Sequence, residues 1–261
     1  MSGALEIKVI HEPSAAEPFV VLSKPAGLAS AQLKSLDEDS AFSQCARLFS
    51  AAKSVCGKKA VEGGLLHRID TATRGLLLVA SSQEFYDHII AAQENVFFVK
   101  GYRAKCDVNA NNAQALGGFP KPPAASLPFD DFLQEKNAAA FMGIELSSYF
   151  RPFGKGGKEV RPVLQDSNVA ALKKIGSKKI YSTKIVAADF LGEGAAKLEC
   201  KIAQGYRHQV RCHLAWLGFP VRGDALYNAV GGQSGGPMRF EAVSLEFPDL
   251  FSEKIFRFTL D

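Results

Sequence analysis

Apolar positions along the 261-residue chain change period several times, and the changes mark out its elements. Phe19-Val20-Val21-Leu22 is a short apolar run after Glu17-Pro18, closed by Lys24-Pro25-Ala26-Gly27, which predicts a buried strand and a turn. Ser40 precedes Phe42, Cys45, Phe49 and Ala52, whose helical spacing makes it a helix cap. Residues 75–80 predict an interior strand. Ser81 and Glu84 stand as a capping box for a second helix, with Phe85, Ile89, Ala92 and Val96 on one face. A long strand over 97–108 carries Tyr102.

Residues 109–140 change character. Asn, Ala, Gly and Pro dominate, among them Asn109, Asn111, Asn112, Gly117, Gly118, Pro120, Pro122, Pro123 and Pro128, which reads as an insertion or surface loop. Strand patterns resume at 144–151, 180–190, 195–203, 240–247 and 255–260. Residues 207–217 predict a helix ended by Gly218. Its positions Val210, His213, Leu214 and Leu217 form a core-facing stripe. His208, Arg211, Cys212 and Ala215 form a second stripe, which sets Arg211 one turn beyond His208 toward a cleft. Long strands joined by hairpin-like loops, with few helices, imply an α+β fold. The expected architecture is one domain with a mostly antiparallel mixed sheet, flanked by helices, and one irregular insertion.

Composition narrows the class. Hydrophobic content of 47% and charged content of 22% suit a globular protein. No stretch of 18 apolar residues is present, and the first residues lack the pattern of a secretory leader. Five cysteines, without a Cys-x-x-Cys pair, favour a reducing cytoplasm over a disulfide framework or structural zinc. The formal net charge is only +4, but its distribution is uneven. Residues 151–184 hold nine cations against Glu159 and Asp166. Residues 201–222 add Lys201, Arg207, Arg211 and Arg222 without an acid. Such a surface suits a polyanion. A solvated face balanced by acids elsewhere gives the same pattern.

Chemistry concentrates in two stretches. In His67-Arg68-Ile69-Asp70-Thr71-Ala72-Thr73-Arg74-Gly75 an Asp lies beside Arg and His, ahead of a buried strand. A carboxylate there is paired, protonated or used. The second stretch is Gly205-Tyr206-Arg207-His208-Gln209-Val210-Arg211-Cys212-His213.

The Asp70 stretch resembles the signature turn of the RluA-type (RluA/RsuA) RNA pseudouridine synthase family. Four further segments resemble that family's motifs in the same order: Leu22–Gly27, Lys100-Gly101-Tyr102-Arg103-Ala104, Lys179–Lys184, and Gly205–His213 with Gly223-Asp224-Ala225-Leu226-Tyr227. The resemblance implies the pseudouridine synthase fold, a catalytic cleft across the sheet, and isomerisation of a uridine in ribosomal or transfer RNA without cofactor or metal. It implies Asp70 as nucleophile, Tyr102 against the base, and Arg211 as the cation beside the carboxylate. It also implies substrate contacts from Lys24, His67, Arg68, Thr73, Arg207, His208 and Gln209. The target nucleotide has to leave its stack first.

Three departures mark the match, one of them a 109–140 stretch longer than the connection the resemblance leads one to expect. Tyr206 precedes Arg207, so the Arg of the motif stands one position late, and Arg74 occupies a place where a small Ser is usual. About twenty residues precede the first motif, too few for an S4-type RNA-binding module. Neither a membrane nor an obligate protein partner is expected, and a monomer suffices. A catalytically inactive RNA-binding protein on the same scaffold is the alternative. A metal-dependent hydrolase built on His208, Cys212, His213 and Asp70 is a poor third, because His208 and His213, five apart, point to different helix faces.

Overall fold

Strand β2 (Phe19–Lys24) pairs antiparallel with β3 (Arg74–Ala80), from Phe19 opposite Ala80 to Lys24 opposite Gly75, and both are buried along almost their whole length. Their continuous apolar runs follow from that burial on two faces. The computed structural model describes residues 5–32, 39–121, 141–192, 194–234 and 236–261. These divide into two compact units: the first runs to Gly101 and takes back Glu241–Asp261, the second is Tyr102–Phe240.

In the first unit β1 (Lys8–His11) flanks β2 antiparallel. On the other side β3 meets β9 (Phe240–Pro248) in parallel at Arg74–Glu241 and Gly75–Ala242, and β9 pairs antiparallel with β10 (Ile255–Thr259). Gly75 is required there. Its φ is +125°, and a Cβ would stand 2.1 Å from the Ala242 carbonyl oxygen. Helices α1 (Ala41–Leu48), α2 (Ala51–Ser54) and α3 (Gln83–Glu94) complete the unit. The core gathers Phe19, Leu76, Leu78, Phe85, Ile89, Phe98, Leu245 and Phe247. Each such side chain contributes about 1.5–3 kcal/mol by leaving water.

Strand β4 (Val99–Asp107) begins in the first unit and continues in the second. There the strand order is β4, β8 (Ala195–Ile202), β7 (Tyr181–Gly192), β5 (Glu145–Phe153), β6 (Glu159–Val163). The β8–β7, β7–β5 and β5–β6 pairs are antiparallel. Helix α4 (Asn112–Leu116), the short α5 (Val169–Leu172) and α6 (Gln209–Leu217) join them, with α6 against β6, β7 and α4. The fold is α+β with a mixed, mostly antiparallel sheet, as the strand pattern implied. Among the described residues no helix is long and apolar enough to cross a membrane.

Several elements differ from their sequence readings. Ser40 caps α1 as expected, with Ser43 completing a capping box, but the helix ends at Leu48 and Ala52 falls in α2. The second helix is capped by Ser82, whose Oγ accepts from the Phe85 amide; Ser81 lies outside it. Val96 is not on the buried face. It sits beyond the helix end at φ 61° and is 56% exposed, because the Val96 and Phe97 amides turn back to Gln93 and Ala92 in a left-handed cap. The region 109–140 is not wholly a surface loop: Asn112 is buried, and its side-chain amide donates to the carbonyls of Ala215 and Tyr227. Residues 122–140, with Pro122, Pro123 and Pro128, lie outside the described residues. Finally, α6 does not divide into a core-facing and an open side: all nine of its residues are buried.

Candidate functional site

In the first unit the chain from Gly64 to Leu66 bonds back onto β3, with the Leu66 amide donating to Leu78, so Asp70 falls in the turn between two paired segments. The turn itself closes with the Thr73 amide donating to the Asp70 carbonyl at 2.9 Å. Three neighbours clamp its backbone. Ser30 Oγ donates to the Ile69 carbonyl at 2.7 Å and accepts from the Ile69 amide at 3.1 Å. The Gly27 amide donates to the Thr71 carbonyl at 2.7 Å. Lys24 Nζ donates to the carbonyls of Leu28 (2.7 Å), Pro25 (3.0 Å) and Thr71 (3.2 Å). Asp70 is thus fixed through residues 69 and 71, while its own side chain is half-buried.

Lys24 was expected among the substrate contacts. It is fully buried, with its ammonium on three carbonyls, so its place is beneath the turn. Burial lowers it to about 8, and the Asp70 charge pulls the other way. His67 is packed edge-on against Phe98, and its Nε2 accepts from the Leu78 amide at 3.1 Å. Burial first and Lys100 second bring its pKa down to about 3, so the ring is neutral. Arg68 pairs with Glu62 at 3.0 Å. Thr73 is 1% exposed, and its hydroxyl has no hydrogen-bond partner among the described residues. Arg74 forks onto Glu241, at 2.9 Å from Nε and 3.2 Å from Nη2.

In the second unit Tyr102 is buried on β4 and stacks on Phe240, centroids 5.2 Å apart and rings 6° from parallel. The segment entering α6 is held by Gln209. Its Oε1 accepts from the Tyr206 amide, and its Nε2 donates to the Ser182 carbonyl at 2.8 Å. His208 precedes the helix at φ 58°, and its Nδ1 lies 3.1 Å from the Tyr227 hydroxyl. Arg207 Nη2 donates to the carbonyls of Gly157 and Glu159.

Arg211 is 6% exposed and forms a two-point fork with Asp224, 2.7 Å at each contact. Asp224 is buried and also accepts from the amides of Leu226 and Tyr227. The Arg211 guanidinium lies 5.3 Å from the Tyr227 ring centre. His208 and Arg211, which the spacing set one turn apart, both lie against the buried Tyr227. His213 is fully buried between Thr183 Oγ1 and Ser148 Oγ, 2.9 Å from each. With His208 on Tyr227 and His213 here, the ligand pair that a metal hydrolase needs is divided. Asp224 and Tyr227 are the buried partners of Arg211 and His208 that the reading of α6 missed. Both stand in the Gly-Asp-x-x-Tyr segment, and a buried arginine in need of a carboxylate was the signal for them.

Comparison with known proteins places these residues in a family. The family model for RNA pseudouridylate synthase matches residues 18–216, a span that takes in the Asp70 turn, Tyr102 and Arg211. The chloroplastic RNA pseudouridine synthase 2 of Arabidopsis thaliana is 25% identical over 64% of this chain and 31% of that protein. An uncharacterized RNA pseudouridine synthase of Mycoplasma pneumoniae is 23% identical over 94% of this chain and 65% of that protein. The chain thus spans about a third of the Arabidopsis relative and about two thirds of the Mycoplasma one. In fold it is similar to human RNA pseudouridylate synthase domain containing 1, with a TM-score of 0.62, 17% identity, and coverage of 100% of this chain and 86% of that one. The human domain containing 4 protein gives 0.60 at 16% identity, covering 97% and 88%. The chain belongs to the RNA pseudouridylate synthase family.

Proposed function

We propose that this protein isomerises a specific uridine to pseudouridine in ribosomal or transfer RNA, with Asp70 as the nucleophile on a nucleotide turned out of its stack. The N-glycosidic bond to uracil breaks and the sugar is rejoined to carbon 5 of the same ring, which gives up its proton as the ring nitrogen gains one. A carboxylate attacking the ring or the sugar divides this into two easier steps. Tyr102 lies against the base and exchanges the proton. Arg211 is the cation that the resemblance assigns to this chemistry, and the Asp224 fork holds its guanidinium in plane. Thr73, His67 and Arg68 flank the nucleophile, and Arg207, His208 and Gln209 serve the substrate's entry strand. No cofactor takes part in this scheme, and the enzyme works as a cytoplasmic monomer.

One observation carries the reading: the family match contains a carboxylate whose turn is clamped on both sides by Ser30, Gly27 and Lys24. A surface acid needs no such scaffold; a nucleophile does. Mapping pseudouridines in total RNA from cells with and without the gene tests it. The expected result is loss of one or a few defined sites. Identical maps would reject it.

A further inference from the structure

Tyr206, the residue that displaces the motif's arginine by one place, packs face to face on Phe150 of β5, centroids 5.0 Å apart at 8°. Its ring also lies 5.1 Å from that of Tyr181. Its hydroxyl presses on Gly176, where a Cβ would stand only 2.2 Å away, and the Gly176 amide donates to the Phe150 carbonyl at 2.8 Å. The next residue, Arg207, holds the turn of the β5–β6 hairpin through Gly157 and Glu159. Tyr206 and Arg207 thus bind two separate loops to the same spot on the second unit.

Both loops are rich in lysine. The hairpin turn carries Lys155 and Lys158, and the other loop carries Lys173, Lys174, Lys178 and Lys179 around Gly176. All six are exposed, and none meets a carboxylate among the described residues. The nearby Glu159 is taken by the buried Arg161 at 2.7 Å. Solvated lysines on an ordinary surface are interspersed with acids. Six uncompensated ones on two anchored loops repel each other, and a bound polyanion relieves that.

We propose that these two loops form a docking surface for the RNA phosphate backbone, and that Tyr206 builds it. The surface reads charge and spacing, so it supplies affinity and orientation without reading sequence. This rests on the RNA-modifying assignment above and extends it by naming the lysines that hold the RNA backbone.

The test measures binding of a structured RNA transcript against salt concentration, in the full chain. Changing Lys173, Lys174, Lys178 and Lys179 together to Gln should lower affinity by about tenfold or more and reduce the salt slope by about three to four. The four Lys→Arg version should restore both. Lys8 and Lys53 changed to Gln serve as the control and should leave the slope as it was. Tyr206→Phe keeps the stack and should bind as the parent does, whereas Tyr206→Ser should lose part of the slope. If the Gln variant keeps its affinity and slope, the docking surface is refuted, even where pseudouridine is still made. If the slope falls as expected but no RNA is isomerised by the parent chain, the docking surface stands and the isomerase assignment falls.

Discussion

Arg211 and Asp224 face each other through two contacts of 2.7 Å, Nε to Oδ2 and Nη2 to Oδ1, with both side chains buried. Desolvation makes such a pair a weak contributor to net stability but a costly one to break. Asp224→Asn should therefore cost about 3–5 kcal/mol in urea unfolding, since a guanidinium remains buried without its counter-charge. Arg211→Met with Asp224→Leu should recover most of that loss. Activity should be lost in all of these variants. A double variant that regained turnover along with stability would show that Arg211 serves only the fold.

Ser30 fixes the Asp70 turn through the backbone of Ile69, where it makes two hydrogen bonds. Ser30→Ala should destabilise by about 1–3 kcal/mol by leaving a buried amide and carbonyl unpaired. Its informative signature is kinetic: kcat falls while KM for RNA stays near its value, as expected when the nucleophile is misplaced and binding is kept. Equal effects on both constants would point to a general loss of structure.

Acid should weaken the fold through its buried histidines. Burial holds His213 near 3, and burial with Lys100 does the same to His67, against an ordinary 6.5. An unfolded chain takes up these protons near 6.5, whereas the folded chain does so only near 3. Their neutral forms thus favour the native state fully above about 6.5, and that advantage erodes as pH falls toward 3. The change across the window is on the order of a few kcal/mol. Urea midpoints measured from pH 7 down to 4 should fall, and His213→Gln should flatten part of the decline.

The parallel seam between β3 and β9 depends on Gly75. A Cβ would meet the Ala242 carbonyl oxygen at 2.1 Å, and the φ of +125° is foreign to side-chain-bearing residues. Gly75→Ala should lower stability by about 2 kcal/mol or more. Since Gly75 follows Arg74 and the Asp70 turn, activity should fall with it. Parent-like melting would place the seam elsewhere.

What the sequence made legible was local chemistry and period. Runs such as Leu76-Leu77-Leu78-Val79 announce a strand because burial on both faces leaves no polar alternation. Ser40 announced its helix because orphan amides need an acceptor. The sequence did not announce α6 as buried on all sides. Its Arg211, His213 and Gln209 are polar, and each is satisfied by a partner far along the chain: Asp224, Ser148 with Thr183, and Ser182. Lys24 misled for the same reason, because a lysine reads as solvent-facing until three carbonyls are found around it. Candidate residues could be named one by one from their motifs; the shell that supports them could not, because it is assembled from segments that only the fold brings together.

The central claim is tested most directly by purified Asp70→Asn, assayed for pseudouridine in the RNA that the parent modifies. The account expects product to fall by about a thousandfold or more while RNA affinity stays within a few-fold, because the nucleophile is removed and no positive charge with it. Turnover at the parent rate would contradict it.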